Sequence, residues 1–172
     1  MEELDIIENS HTARLQDRGF HVYRGFNDQV AALLYDGTRD PVVIAHTHDA
    51  ERFKTPESVM QWHESSSTPR TFYSLGNAAL SAVIWFGESK SVHSSATATF
   101  AIRMYDGARG LGIAGDFLEA AHEDFATIHG GDVWLAVKNT NSAAQRLYKN
   151  HGYIQDDETD GSITMTRELS RK

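Results

Sequence analysis

The stretch Met104 to Ala114, M-Y-D-G-A-R-G-L-G-I-A, constrains this chain more than any other. It stands where an apolar strand pattern ends and a helical pattern begins, and its glycines fall inside that junction. Gly110 and Gly112 remove side chains where the backbone would have to approach an anion, and the free N–H groups of the next helical turn point outward at it. Arg109 adds a fixed positive charge, so the segment reads as a phosphate cradle. Taken alone it is as readily an ordinary glycine-rich turn before a helix, because short glycine motifs recur by chance.

The patterns around it predict the surrounding elements. From Thr71 to Tyr105 three strand candidates follow one another, T-F-Y-S-L-G, A-L-S-A-V-I-W-F and S-A-T-A-T-F-A-I-R-M-Y, broken at Gly76-Asn77 and Gly87-Glu88-Ser89. Such breaks supply hairpin turns, which predicts an antiparallel meander. From Leu111 to His129 the period changes: Ile113, Phe117, Ala121, Phe125 and Ile128 recur at three or four residues, as on an amphipathic helix stopped by Gly130-Gly131. Val133, Leu135 and Val137 then alternate as a strand. Asn141 caps a second helix that runs to about His151, and Tyr153 to Leu169 predicts a hairpin turned at D-E-T-D-G. In the front third, Gly19 to Arg24 predicts a short strand, and Asp28 to Tyr35 and Ser58 to Glu64 predict helices.

Composition excludes whole classes. With 172 residues, 40% of them hydrophobic, and three prolines, the chain suits one domain over residues 1–172 and a soluble globule. The lack of cysteine removes disulfides, thiolate metal sites and a cysteine nucleophile. The N-terminus, M-E-E-L-D-I-I-E-N, lacks the basic and apolar regions of a signal peptide, and no apolar run reaches membrane-spanning length, so the expectation is a cytoplasmic protein with no membrane partner. A net charge of −8 with scattered Lys and Arg argues against nucleic acid as partner. It would suit a cationic or amine substrate, and equally plain solubility.

A second segment, Asn139 to Tyr153, decides which kind of phosphate binder is in view. It reads N-T-N-S-A-A-Q-R-L-Y-K-N-H-G-Y. Together the two segments resemble the GCN5-related N-acetyltransferase (GNAT) superfamily, in which R/Q-x-x-G-x-G/A binds the coenzyme A pyrophosphate and N-x-x-A-x-x-L-Y-x-x-x-G-F/Y follows one strand later. Arg109, Gly112 and Ala114 match the first motif, and Asn141, Ala144, Leu147, Tyr148, Gly152 and Tyr153 the second.

The resemblance implies an α/β (α+β) fold: a mixed, mostly antiparallel sheet of about six to seven strands, flanked by about four helices. The sheet would splay between its fourth and fifth strands, the one ending at Tyr105 and the one read as Val133 to Lys138. It further implies acetyl-CoA as cosubstrate, no metal, a small-molecule or peptide amine as acceptor, and dimerisation through the C-terminal strands. The diphosphate would lie on Arg109, Gly110, Leu111, Gly112, Ile113, Ala114 and Gly115. The backbone of Ile102, Arg103 and Met104 would pair with the pantetheine arm as an added strand does. Asn141 would cap its helix and, with Ala144, border the cofactor. Tyr148 would face the cofactor sulfur as general acid, since a phenol of ordinary pKa about 10 stays protonated and can donate to a leaving thiolate. Without its motif neighbours it would read as a helix tyrosine packed on the core.

The general base stays open at this stage, because Ser94 to Tyr105 carries no Asp or Glu. Glu88, His93 and Tyr73 are candidates, with water or the C-terminus as other solutions. The missing carboxylate also keeps a rival alive, a non-catalytic acyl-CoA-binding domain. A nucleotide-phosphate binder unrelated to coenzyme A is the third reading, with no G-K-[ST] to support it. His46 and His48 lack a third ligand at motif spacing and read as loop residues. Arg146 and Lys149 read as a solvated helix face, and Trp62, Trp85 and Trp134 as core and cleft wall. By the same resemblance, Asp49 to Trp62 and the last hairpin border the acceptor site.

Overall fold

Alternation along two neighbouring strands sets the architecture. On β4 (Leu80–Glu88) and β5 (Ala98–Met104), Ala82, Ile84 and Phe86 stand opposite Met104, Ile102 and Phe100. These side chains belong to one apolar cluster, whereas Val83, Trp85 and Ala101 belong to a second. A period of two therefore buries both faces of the sheet, each under its own layer of helices.

The computed structural model describes residues 2–169. A single eight-stranded sheet runs in the order β1-β2-β3-β4-β5-β6-β8-β7, with β1 at Asp5–Ile7, β2 at His21–Arg24, β3 at Thr71–Gly76, β6 at Gly131–Lys138, β7 at Ile154–Thr159 and β8 at Ser162–Leu169. Every neighbouring pair is antiparallel except β5 with β6.

Seven α-helices are present among the described residues. One face carries α1 (Thr12–Asp17), α6 (Ala114–Ile128) and α7 (Ser142–Asn150), which add Leu15, Phe117, Leu118, Phe125 and Tyr148 to the first cluster. The other face carries α2 (Asp28–Asp36), α3 (Pro41–His46), α4 (Asp49–Arg52) and α5 (Pro56–Glu64), with Val30, Leu34, Val43 and Val59 in the second cluster. A 3-10 turn, Gly37–Arg39, joins α2 to α3. At Gly37 the backbone lies directly against the Tyr105 ring, where a Cβ would collide.

Local chemistry fixes most of the starts. Asn27 accepts from the N–H groups of Gln29 and Val30 at 3.0 and 3.2 Å, Asp40 accepts from Val42 N at 2.9 Å, and Thr55 with Ser58 forms a capping box. Pro41 and Pro56 occupy first-turn positions, where a missing N–H costs nothing.

The strand and helix expectations hold from Thr71 to Leu169, within two or three residues at the ends. The sequence reading of seven strands and four helices falls short in the front third. It lacks β1, α1, the 3-10 turn, α3 and α4, all six residues or fewer and too brief to show a period. His46 is correspondingly not a loop residue, since it ends α3, whereas His48 does lie in the short link before α4. No helix among the described residues is long and apolar enough to cross a membrane.

Candidate active-site cleft

The parallel strands β5 and β6 are paired only at Ala98 with Val133 and Thr99 with Trp134. The Thr99 hydroxyl donates to Trp134 O at 2.9 Å, and past that point the strands part. The gap is a cleft of about 320 Å³ lined by Phe100 to Arg103 on one side and Leu135 to Lys138 on the other, and by residues of α3, α4 and α7. Parting strands leave backbone donors and acceptors without a ladder partner, so an extended ligand with amides can complete the pairing. A larger cavity of about 790 Å³ lies away from this opening, between α2, the N-terminal residues and the β3–β4 turn. It adjoins neither the strand divergence nor Tyr148, so the smaller cleft is the better candidate.

Tyr148 lines the cleft from α7 and is 7% exposed. Its ring meets those of Phe100 and Tyr153, each with a centroid separation of 5.8 Å. Burial pushes the phenol up to about 12, with the Arg103 guanidinium pulling the other way, so the hydroxyl is protonated across the neutral range. Beneath it, His122 donates from Nδ1 to Leu118 O at 2.7 Å and accepts from the Tyr153 hydroxyl at Nε2, 2.6 Å away. Burial lowers His122 to about 3, and the Arg167 charge adds to the effect, so this imidazole is a neutral structural strut.

Beyond the divergent strands, the loop 105–113 leads into α6. Gly110 and Gly112 have φ of 78° and 72°, left-handed values that disfavour other residues, and open space lies where their Cβ atoms would be. Ile113 is the N-cap of α6 and offers no side-chain acceptor to the donors of that first turn, and the residues just before it, Gly110 to Gly112, are exposed.

No protein-family model matches the sequence, and no curated protein matches it. Solved structures do match. A chimera of the Vibrio cholerae spermidine N-acetyltransferase aligns with TM-score 0.67 and 14% identity over 88% of this chain and 96% of that one. An acetyltransferase of the GNAT family from Streptococcus pneumoniae gives TM-score 0.64 and 16% identity over 87% and 99%. A Salmonella typhimurium protein assigned to the acetyltransferases and solved with acetyl-CoA gives TM-score 0.64 and 13% identity over 88% and 95%. The chain has the GCN5-related N-acetyltransferase fold.

Against the GNAT fold, the residues singled out from sequence take distinct places. The structure brings together Ile102, Arg103 and Tyr148 at the cleft, with Met104 at the end of the same strand. Gly110 to Gly115 form the junction into α6, and Gly115 sits where α6 passes close to His151. Asn141 caps α7, accepting from Ala144 N at 3.2 Å. Arg109 is placed differently from a free phosphate ligand. Its guanidinium donates to Asp40 at 2.6 Å and to Met104 O at 2.7 Å, so it fastens α3 to the loop.

The candidates for general base stand apart from the cleft. Glu88 is exposed at the end of β4, opposite Ala98, on the closed side of the strand pair. His93 lies in the exposed β4–β5 loop with its Nε2 3.5 Å from Asp157. Tyr73 is fully buried on β3 and donates to Asp124 at 2.7 Å, and burial together with that bond raises its pKa, which removes it as a base. Arg146 and Lys149 are exposed on α7.

The sequence reading set Asp49 to Trp62 beside the acceptor site and named Arg103 for its backbone, but missed what their side chains do in the opposite wall. Arg103 makes a two-pronged ion pair with Asp49, at 2.6 and 2.9 Å, and its guanidinium lies 4.9 Å from the Trp85 ring centre. Burial lowers the Arg103 pKa, but the hydrogen bonds and charge of Asp49 outweigh it and the net shift is upward. His46, His48 and Arg52 line the same wall, and the Nδ1 of His46 is buried without a hydrogen-bond partner among the described residues. A lone arginine in the apolar run F-A-I-R-M-Y was the one available signal. No group of three His, Asp or Glu side chains among the described residues is arranged to hold a metal.

Proposed function

We propose that this chain is an acetyl-CoA-dependent N-acetyltransferase that passes the acetyl group to a primary amine by direct attack in a ternary complex. The observation that carries the reading is the cleft opened by the parting of β5 from β6, with Tyr148 in its wall. In this reading the pantetheine arm pairs with the backbone of Ile102 to Met104, and the diphosphate rests on the N–H groups from Gly110 to Gly115. Asn141 and Ala144 border the arm where α7 begins.

The neutral amine nitrogen forms its bond to the thioester carbonyl carbon, and the carbon–sulfur bond breaks. Backbone N–H groups of β5 polarise the carbonyl. The departing thiolate meets the Tyr148 hydroxyl, which donates to it and is reprotonated from solvent. The amine's second proton leaves to a cleft imidazole, His46 or His48, or to water.

One observation favours a rival, a non-catalytic acyl-CoA-binding domain: among the described residues no Asp or Glu lines the cleft. Free-thiol release from acetyl-CoA, measured across polyamines, amino acids, aminoglycosides and N-terminal peptides, separates the two. Acceptor-dependent release supports the transferase, and tight acetyl-CoA binding without release from any acceptor supports the rival.

A further inference from the structure

We propose that the acceptor is an amine that also carries a carboxylate, held between Arg52 and Lys138, and not a polyamine. The inference deepens the transferase reading and rests on it.

The chain has 24 acidic and 16 basic residues, yet the charged or titratable side chains of the cleft wall are His46, His48, Arg52, Arg103 and Lys138, besides Tyr148. Overall composition would suit a cationic substrate, and the cleft itself has the opposite character. The charge of Arg103 is balanced by buried Asp49. Arg52 and Lys138 have no such balance: neither lies within ion-pair distance of a carboxylate among the described residues. Arg52 rests against the rings of Phe53 and Trp62, at 5.7 and 5.8 Å, and Lys138 donates to the carbonyl of Ala45 at 3.2 Å.

These two cations come from different elements around one opening. Arg52 ends α4 on the helical wall, and Lys138 ends β6, one of the two diverging strands. The diphosphate has its own place on the loop before α6, none of whose residues lines this cleft, and the pantetheine arm is uncharged. A polyamine would bring several positive charges into a wall that already holds two unpaired ones, which opposes binding. A carboxylate reverses the sign and gains a fork-shaped donor in Arg52. Spermidine is a substrate named for two of the structural neighbours, but shared fold does not carry substrate choice.

The test is steady-state thiol release with the twenty amino acids, their carboxamides and spermidine. The expected result is a kcat/KM for the best amino acid at least tenfold above that of its amide, with spermidine below both. Replacing Arg52→Gln and Lys138→Gln together should raise the amino-acid KM at least tenfold while kcat and the acetyl-CoA Kd change less than twofold. Lys138→Glu should narrow or invert the preference over spermidine. Equal or better rates with spermidine or the amides overturn the inference and leave the transferase intact. An acetyl-CoA Kd weakened tenfold in the double variant, with the amino-acid KM unchanged, assigns the cations to the cofactor and overturns it also. No release with any amine, together with retained acetyl-CoA binding, overturns the transferase reading beneath it.

Discussion

In the proposed reading, the cofactor wall of the cleft rests on α6 and α7, fifteen and nine residues long, seated on a continuous aromatic and aliphatic core, whereas the acceptor wall is made of α3 and α4, six and four residues long. The short helices hang from two ion pairs, Asp40 with Arg109 and Asp49 with Arg103. Burial pushes the Asp40 carboxyl up, but hydrogen bonds from Arg109 and Val42 outweigh it and hold it below the usual range. The difference teaches how labour divides across the sheet. In the proposed transferase, reaction geometry would sit on regular secondary structure and acceptor recognition on a short segment held by side-chain charges, which can be altered without dismantling the core.

The largest expected effect belongs to the cofactor wall. Tyr148→Phe should lower kcat by about 10²–10⁴, the usual contribution of a general acid, while the acetyl-CoA Kd moves less than twofold. A kcat that stays within threefold of the parent removes Tyr148 from the chemistry. On the acceptor wall, Asp49→Ala leaves the Arg103 charge in the interior without its partner and should cost about 3–5 kcal/mol in urea unfolding. Its acceptor KM should rise more than its acetyl-CoA Kd; parallel changes in both would erase the division between the walls.

A pH dependence should mark the core behind Tyr148. The folded-state pKa of His122, lowered to about 3 by burial, lies below the ordinary value of about 6.5. The unfolded chain therefore binds more protons than the folded one between those values. Stability from this residue is level above pH 6.5 and falls as pH drops, by about 2 kcal/mol at pH 5. His122→Phe should flatten that slope, and an unchanged slope would assign the acid sensitivity elsewhere. The smallest effect is Asn141→Ala, which removes the α7 cap and should cost about 1 kcal/mol, read as a shift in Tm.

The cofactor wall was legible because its features are local. Gly110 and Gly112 announce left-handed backbone, Asn141 a cap, Gly152 a helix end, and each acts within a few residues of itself. The acceptor wall was legible only as the segment Asp49 to Trp62 and not in its contacts, because its decisive contact joins residues 54 apart and its helices are too short to display a period. Glu88 and His93 recommended themselves by chemistry and by nearness to the central strand. Strand register then put them at its paired end, away from the cleft. Arg109 matched a motif position, and the sequence carried no sign that Asp40, 69 residues away, would engage its guanidinium.

The central claim is that the gap between β5 and β6, continued by the α6 N-terminus, holds coenzyme A. Calorimetric titration of the purified protein with coenzyme A, pantetheine and ATP tests it most directly. The prediction is saturable binding of coenzyme A, pantetheine at least tenfold weaker for want of the diphosphate, and ATP weaker still for want of the arm. ATP binding as tightly as coenzyme A, or no heat with coenzyme A at millimolar concentration, would contradict it.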